Sequence, residues 1–253
     1  MKRSIRTALL LAIVSLSSHR ALQAQVARYR VTSTAVLTLD RVNEPPLVDT
    51  LTTSALLFIT IPAAAPVAAT LAIDSLQLTS TGMVRRAPDA FARGTSLSAA
   101  LTDGRPRITG DSATACTAER PMAALLPELL PLLPTPLRAD QQWSDTLTVT
   151  TCRASLPVTT VSIVSFRTLT GMDSTTVLLE RRAVMRATGS IAIRDQLVTL
   201  SGSGTSESLS TVLVATRQIQ SHRGSQSLDF SLTNGQQTRR MVQQITDAIA
   251  ILP

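Results

Sequence analysis

Apolar side chains recur at every second position along nearly the whole of this sequence, and that period constrains the fold more than any other feature. Tyr29, Val31, Ala35, Leu37 and Leu39 fall in one phase, while Arg28, Arg30, Thr32, Thr34, Thr38 and Asp40 fall in the other. Successive side chains of a strand point to opposite faces, so this segment predicts a long half-buried strand. After Glu44-Pro45-Pro46, the residues Leu51, Ala55, Leu57, Ile59 and Ile61 repeat the pattern. A Pro/Ala loop from Pro62 to Pro66 precedes a third run. There Leu71 and Ile73 keep one phase and Leu76 and Leu78 take the other, which predicts a β-bulge near Asp74-Ser75. Leu97 to Ile108 reads as a hairpin around Asp103-Gly104, and Asn234-Gly235 as a second turn of the same type. Trp143 to Val149, Val161 to Leu169, Thr175 to Ala187, Leu228 to Leu232 and Met241 to Ile251 supply further strand signals. Gly202-Ser203-Gly204 marks a turn or a strand kink.

The predicted fold class is therefore mainly β: one large curved antiparallel sheet, a half-barrel or barrel, of ten or more strands. Apolar residues make up 44% of the chain and aromatic ones 2%, so Leu, Val, Ile and Ala have to fill the core. One segment breaks the strand pattern. Pro121 to Pro136 is rich in leucine and punctuated by proline, with Thr117 as a candidate N-cap. Pro127 and Pro131 limit any helix there to short pieces. Glu128 is its only charge, so the stretch 117–137 is expected to plug an open end or one face of the sheet. The sharper alternative is a movable apolar lid. Leu125, Leu126, Leu129, Leu130, Leu132 and Leu133, together with Trp143, are the candidate ligand-binding residues. Trp143 also fits the ordinary role of an indole anchoring a strand start, its N–H bonded to a carbonyl.

The N-terminus reads as an export signal. Lys2, Arg3 and Arg6 precede the apolar run Thr7 to Ser18, and Ala24 offers a cleavage site. About 12 apolar residues fall short of the roughly 20 that span a bilayer. The expected organisation is thus a cleaved signal at 1–24 and a single all-β domain at 25–253, located in the periplasm or secreted, with no transmembrane span. Removing Lys2, Arg3, Arg6 and Arg20 leaves 20 basic residues, all Arg, against 17 acidic ones, so the formal charge falls from +7 to +3. The arginines are scattered and lack aromatic partners, which argues against nucleic acid. Cys116 and Cys152 are the only cysteines, and in an oxidising compartment they are expected to pair. Closing that loop would stabilise the fold by about 4 kcal/mol in the chain-entropy account.

Catalytic chemistry is poorly provided for. Beyond residue 24 there is one histidine, His222, and no lysine. That removes Ser-Lys and Schiff-base mechanisms and leaves no His/Cys metal set. His222 sits in Gln220-Ser221-His222-Arg223-Gly224, which reads as an exposed turn. No cofactor and no metal are expected, and the chain is read as no enzyme.

Two stretches bring a resemblance. Leu129-Leu130-Pro131-Leu132-Leu133-Pro134 is followed by Ala139-Asp140-Gln141-Gln142-Trp143-Ser144-Asp145, and Ser201-Gly202-Ser203-Gly204 is followed by strands to the end. Their order resembles a group of uncharacterised exported bacterial β-proteins in which a proline-rich segment precedes a Gly-Asp-x-Trp turn, with Ala139 here in place of the glycine. More loosely, a curved sheet with an apolar plug looks like the periplasmic lipoprotein carriers, whose half-barrel holds acyl chains. That group has no established activity, so the resemblance carries over no functional residue; the curved sheet and its Leu/Pro segment lead to the expectation of an exported binding protein of the cell envelope, holding an apolar or lipid-like small molecule. The alternative from another class is a structural or protein-interaction component of the envelope with no small-molecule site.

Overall fold

In the computed structural model, the described residues are 25–41, 43–61, 68–81, 96–102, 105–108, 125–153, 156–169, 175–193, 196–235 and 237–253. The export segment 1–24, Thr117 and Cys116 lie outside them. Of Cys152, only its place in a strand is described.

The eleven strands are β1 (Gln25–Arg41), β2 (Glu44–Ile61), β3 (Ala68–Ser80), β4 (Ser96–Thr102), β5 (Arg105–Ile108), β6 (Gln142–Arg153), β7 (Leu156–Thr168), β8 (Thr176–Ile193), β9 (Gln196–Leu213), β10 (Gln218–Asn234) and β11 (Gln237–Leu252). The Leu/Pro segment contributes a single turn of helix, α1 (Leu126–Leu129). All strands belong to one antiparallel sheet in the order β5-β4-β3-β2-β1-β11-β10-β9-β8-β7-β6. Two meanders thus meet at the pairing of the first and last strands, with Tyr29 opposite Ile251 and Val31 opposite Ile249. The sheet is not closed: β5 and β6 are its edges, and α1 lies against β5.

The alternation predicted for β1 and β2 decides which face is covered. Tyr29, Val31, Ala55, Leu57 and Ile59 are buried, as are Leu71 and Ile73 of β3. The phase change in β3 is a register shift: Leu57 faces Ile73 while Leu56 faces Ser75, leaving Asp74 as the extra residue. The bulge returns Leu76 to the covered face opposite Ala55. Around Asp103-Gly104, which lies outside the described residues, β4 and β5 pair as expected, with Thr102 opposite Arg105. The second hairpin differs by one position. Asn234 pairs with Gln237 inside the ladder, so Gly235, at φ 59°, opens the turn and not Asn234.

A sheet with one buried face and only a short segment to lay over it has to wrap round on itself. Glycines supply the bend. A Cβ on Gly202 would lie 2.5 Å from Phe230 Cδ1, and one on Gly204 would lie 2.6 Å from Leu228 Cδ2. Without side chains at those points β10 closes onto β9, and Leu228 and Phe230 are buried over it. Gly202-Ser203-Gly204 thus lies inside the continuous strand β9 and not at a turn. The outer face is mixed, with Arg182, Arg186, Arg223, Ser225 and Ser227 exposed beside Val161, Ile163, Val184 and Leu209.

Tyr29 is fully buried, and burial pushes its phenol up to about 12 from 10.0. A group whose pKa is raised on folding gives stability that is complete below its unfolded value and lost as pH rises through the folded one. Stability is therefore expected to fall by about 3 kcal/mol between pH of about 10 and 12. The window is clean, because Tyr29 is the only tyrosine and Lys2 the only lysine. Denaturant midpoints measured across this range should show the loss, and Tyr29→Phe should abolish it.

Candidate functional site

The Leu/Pro segment is anchored from three strand regions. Trp143 Nε1 donates to the Leu132 carbonyl at 3.0 Å, while its ring stacks on Phe166 at 5.3 Å. Arg217, after β9, donates to the Pro134 carbonyl at 2.9 Å and to Thr135 Oγ1 at 2.6 Å. Arg181 of β8 donates to Glu128 Oε1 at 2.5 Å. Leu126, Leu129, Leu130 and Leu133 are buried in the same apolar cluster as the sheet, and Leu125 packs against it. Leu132 is half-buried. Four of the six leucines named from the sequence are thus core, and the described part of the segment is held to the sheet at Glu128, Leu132, Pro134 and Thr135. Trp143 takes the anchoring role.

Above this plug the covered face changes character. Following the ladder pairings inward from β1, Ser33 faces Asp247, Asp247 faces Gly224, Gly224 faces Ser208 and Ser208 faces Arg181. A belt of polar and small residues therefore crosses the interior between two apolar zones. One zone holds Tyr29, Leu57, Val212 and Ile219; the other holds Leu228, Phe230, Leu200 and Val158.

Within the belt lies an open-mouthed cavity of about 210 Å³. Glu128 and Arg181 line it, with Ser206, Ser208, Gln226 and Asp247; Leu147, Val149, Met185 and Ile245 give it apolar walls. Among the described residues of the Leu/Pro segment, Pro127 and Glu128 reach it. Arg181 Nε and Ser208 Oγ, in two residues around it, have no hydrogen-bond partner among the described residues and are out of contact with solvent. A buried donor left unsatisfied costs about 1–3 kcal/mol.

The position of His222 corrects the sequence reading. It lies within β10, 3% exposed, and not on an exposed turn. Its Nδ1 is 2.9 Å from Ser210 Oγ and its Nε2 is 2.9 Å from Asp247 Oδ2. Gly224 makes room for the pair, since a Cβ there would lie 3.0 Å from both His222 Nε2 and Asp247 Oδ1. Serine, imidazole and carboxylate are in line, yet Ser210 is buried and absent from the cavity wall. The arrangement locks three strands together. Among the described residues, no group of three or more His, Cys, Asp or Glu side chains is placed to hold a metal ion.

The Glu128–Arg181 pair ties the plug to the belt with little solvent around it, at 21% and 12% side-chain exposure. Arg181→Met is expected to destabilise the protein by about 2 kcal/mol, because it leaves the Glu128 carboxylate without its cation. Adding Glu128→Gln should recover most of that loss, and a double-mutant cycle of chemical denaturation midpoints measures both.

No protein-family model matches the chain, and no curated protein matches it. Among solved structures it is similar to lipovitellin, in a structure described by its lipid–protein interactions, with 13% identity and a TM-score of 0.56 over 90% of this chain. The chain spans about a quarter of the length of that lipovitellin, covering 25% of it. A likeness at this identity concerns the fold. Pseudomonas aeruginosa OccK1 (TM-score 0.25, 6% identity, 90% of this chain and 99% of that one) and Acinetobacter baumannii OccAB4 (0.24, 6%, 92% and 100%) also match. No helix among the described residues is long and apolar enough to cross a membrane.

Proposed function

We propose that this chain is an exported binding protein of the cell envelope, non-catalytic, that holds a lipid-like ligand on the covered face of its curved sheet. The observation that carries the reading is the open cavity in the polar belt, where Ser206, Gln226 and Asp247 adjoin an apolar wall of Leu147, Val149, Met185 and Ile245. The fold likeness to lipovitellin agrees with an interior that receives apolar material. Export rests on the charge order, apolar run and candidate cleavage site of residues 1–24, as an expectation.

Titration with a neutral, environment-sensitive apolar dye tests the proposal. One saturable site is expected, weakened at least tenfold by Ser206→Leu, which fills the cavity, with the thermal midpoint serving as the control for folding. Absence of saturable binding, or binding indifferent to Ser206→Leu, would overturn it. One observation favours the interaction-protein alternative: Ile163 and Val184 face each other across β7 and β8 on the outer surface, each more than 60% exposed. That reading predicts a copurifying protein lost on Ile163→Asp.

A further inference from the structure

One carboxylate on the cavity wall lacks a compensating cation, and it decides which head group the cavity takes; the inference rests on the ligand-binding reading above. Glu128 and Arg181 neutralise each other, Nη1 lying 2.5 Å from Oε1. Glu207 borders the cavity from a strand position that is exposed on the outer face, opposite Arg182. Asp247 differs. Its partner is the imidazole of His222, with Nε2 2.9 Å from Oδ2, and Ser210 Oγ lies 2.9 Å from Nδ1. A neutral ring satisfies both contacts, donating from Nε2 and accepting at Nδ1, so the carboxylate keeps its full negative charge. The Asp247 side chain is 25% exposed and lines the cavity, within reach of a guest. Its Oδ1 lies beside Gly224, where a Cβ would come within 3.0 Å of it. The missing side chain leaves that oxygen open. Ile245, two residues earlier on the same face of β11, begins the apolar wall that Leu147, Val149 and Met185 continue.

We propose that the cavity selects a cationic amphiphile, an alkyl chain carrying an ammonium head, over neutral and anionic ones. The ammonium donates an N–H to Asp247 Oδ1 and supplies the missing positive charge. A hydrogen bond between two charged groups is about twice as strong as one between neutral groups. An entering carboxylate would instead meet the Asp247 charge, with the Arg181 guanidinium already engaged by Glu128. Like charges brought together out of water are strongly disfavoured. Leu147, Val149, Met185 and Ile245 cover the first methylenes of the chain. The volume, about 210 Å³, lies below the roughly 300–1,000 Å³ of sites that enclose a whole drug-sized ligand. It holds the head and the start of the chain, and the remainder leaves through the open mouth.

Displacement of the neutral dye by octylamine, octanol and octanoate, three monomeric ligands of one chain length, tests this at a pH of about 8, where an imidazole is ordinarily neutral and an alkylamine charged. Octylamine is expected to bind at least tenfold more tightly than octanol, and octanoate most weakly. Asp247→Asn keeps an acceptor for His222 while removing the charge, and is expected to abolish the advantage of octylamine over octanol. Asp229→Asn removes the same charge from an exposed pair with Arg240 on the outer face and should preserve the tenfold ratio. A merely structural role for Asp247 would weaken all three ligands together and leave their order intact. Octanol or octanoate binding the unmodified protein as tightly as octylamine, a result that depends on no variant folding, would overturn the charge assignment. So would an octylamine advantage that survives Asp247→Asn. In either case saturable dye binding keeps the binding reading standing, whereas its absence would overturn that reading and this inference with it.

Discussion

Gly204→Ala is expected to destabilise the protein by about 3 kcal/mol or more, although it adds one methyl group to a strand in which alanine is ordinarily tolerated. The new Cβ would press on the Ser227 backbone oxygen and lie 2.6 Å from Leu228 Cδ2 and 3.0 Å from Leu228 Cα. Two of these three neighbours are backbone atoms of β10, so relief requires the two strands to move apart, and with them the bend that brings the sheet round. Chemical denaturation with an unchanged m-value would report the loss. A control is available on the same strand: Ser206 also points inward, into the cavity and not against packed backbone, so Ser206→Ala should cost less than about 1 kcal/mol.

The second large effect concerns the plug. Leu129 is fully buried, and Leu129→Ala is expected to cost about 3 kcal/mol through lost burial and the void it leaves. Leu126, 1% exposed, should behave alike, and the two together should cost less than their sum, since they share one turn of α1 and one set of neighbours. A movable lid would predict something else. Its leucines would be released in the open state, truncation would cost little global stability, and ligand exchange would change instead. Denaturation midpoints and dye off-rates of Leu129→Ala separate the two cases. The anchoring by Trp143, Arg181 and Arg217 is why the plug result is expected.

How much of this was legible in the sequence depended on whether the two faces of a strand differ. In β1 one face carries Tyr29 and Val31 while the other carries Arg28, Arg30 and Thr32, so phase identified the strand and its covered side; in β2 Ala55, Leu57 and Ile59 share the covered face although Leu56 and Phe58 occupy the other. Even the bulge at Asp74 could be read, because it shifts that phase by one. In β9 and β10 the contrast fails. Ser201, Ser203 and Thr205 face out while Gly202, Gly204, Ser206 and Ser208 face in, so neither phase is apolar and the segment passes for a turn. His222 was misplaced for the same reason, lying among Ser, Arg and Gly in a strand whose inner face is polar at that level. One signal was available: Gly202, Gly204, Ser206, Ser208 and Ser210 are small residues at a strict period of two between inward Leu200 and Val212. The leucines of the plug differ: their apolarity predicted burial, and Leu126, Leu129, Leu130 and Leu133 are buried in the core cluster, while the cavity is lined by other residues. Arg181, Ser208 and Asp247 become neighbours only through pairing of β8 to β11, which local pattern does not specify.

The central claim is that the belt cavity holds an amphiphile, and native mass spectrometry of the protein purified without detergent, with a lipid extract of the same sample, tests it most directly. The account predicts a discrete added mass corresponding to one lipid-like ligand per chain, regained when the lipid extract is returned to delipidated protein and absent in Ser206→Leu. A bare polypeptide mass that stays bare after lipid is added would contradict it.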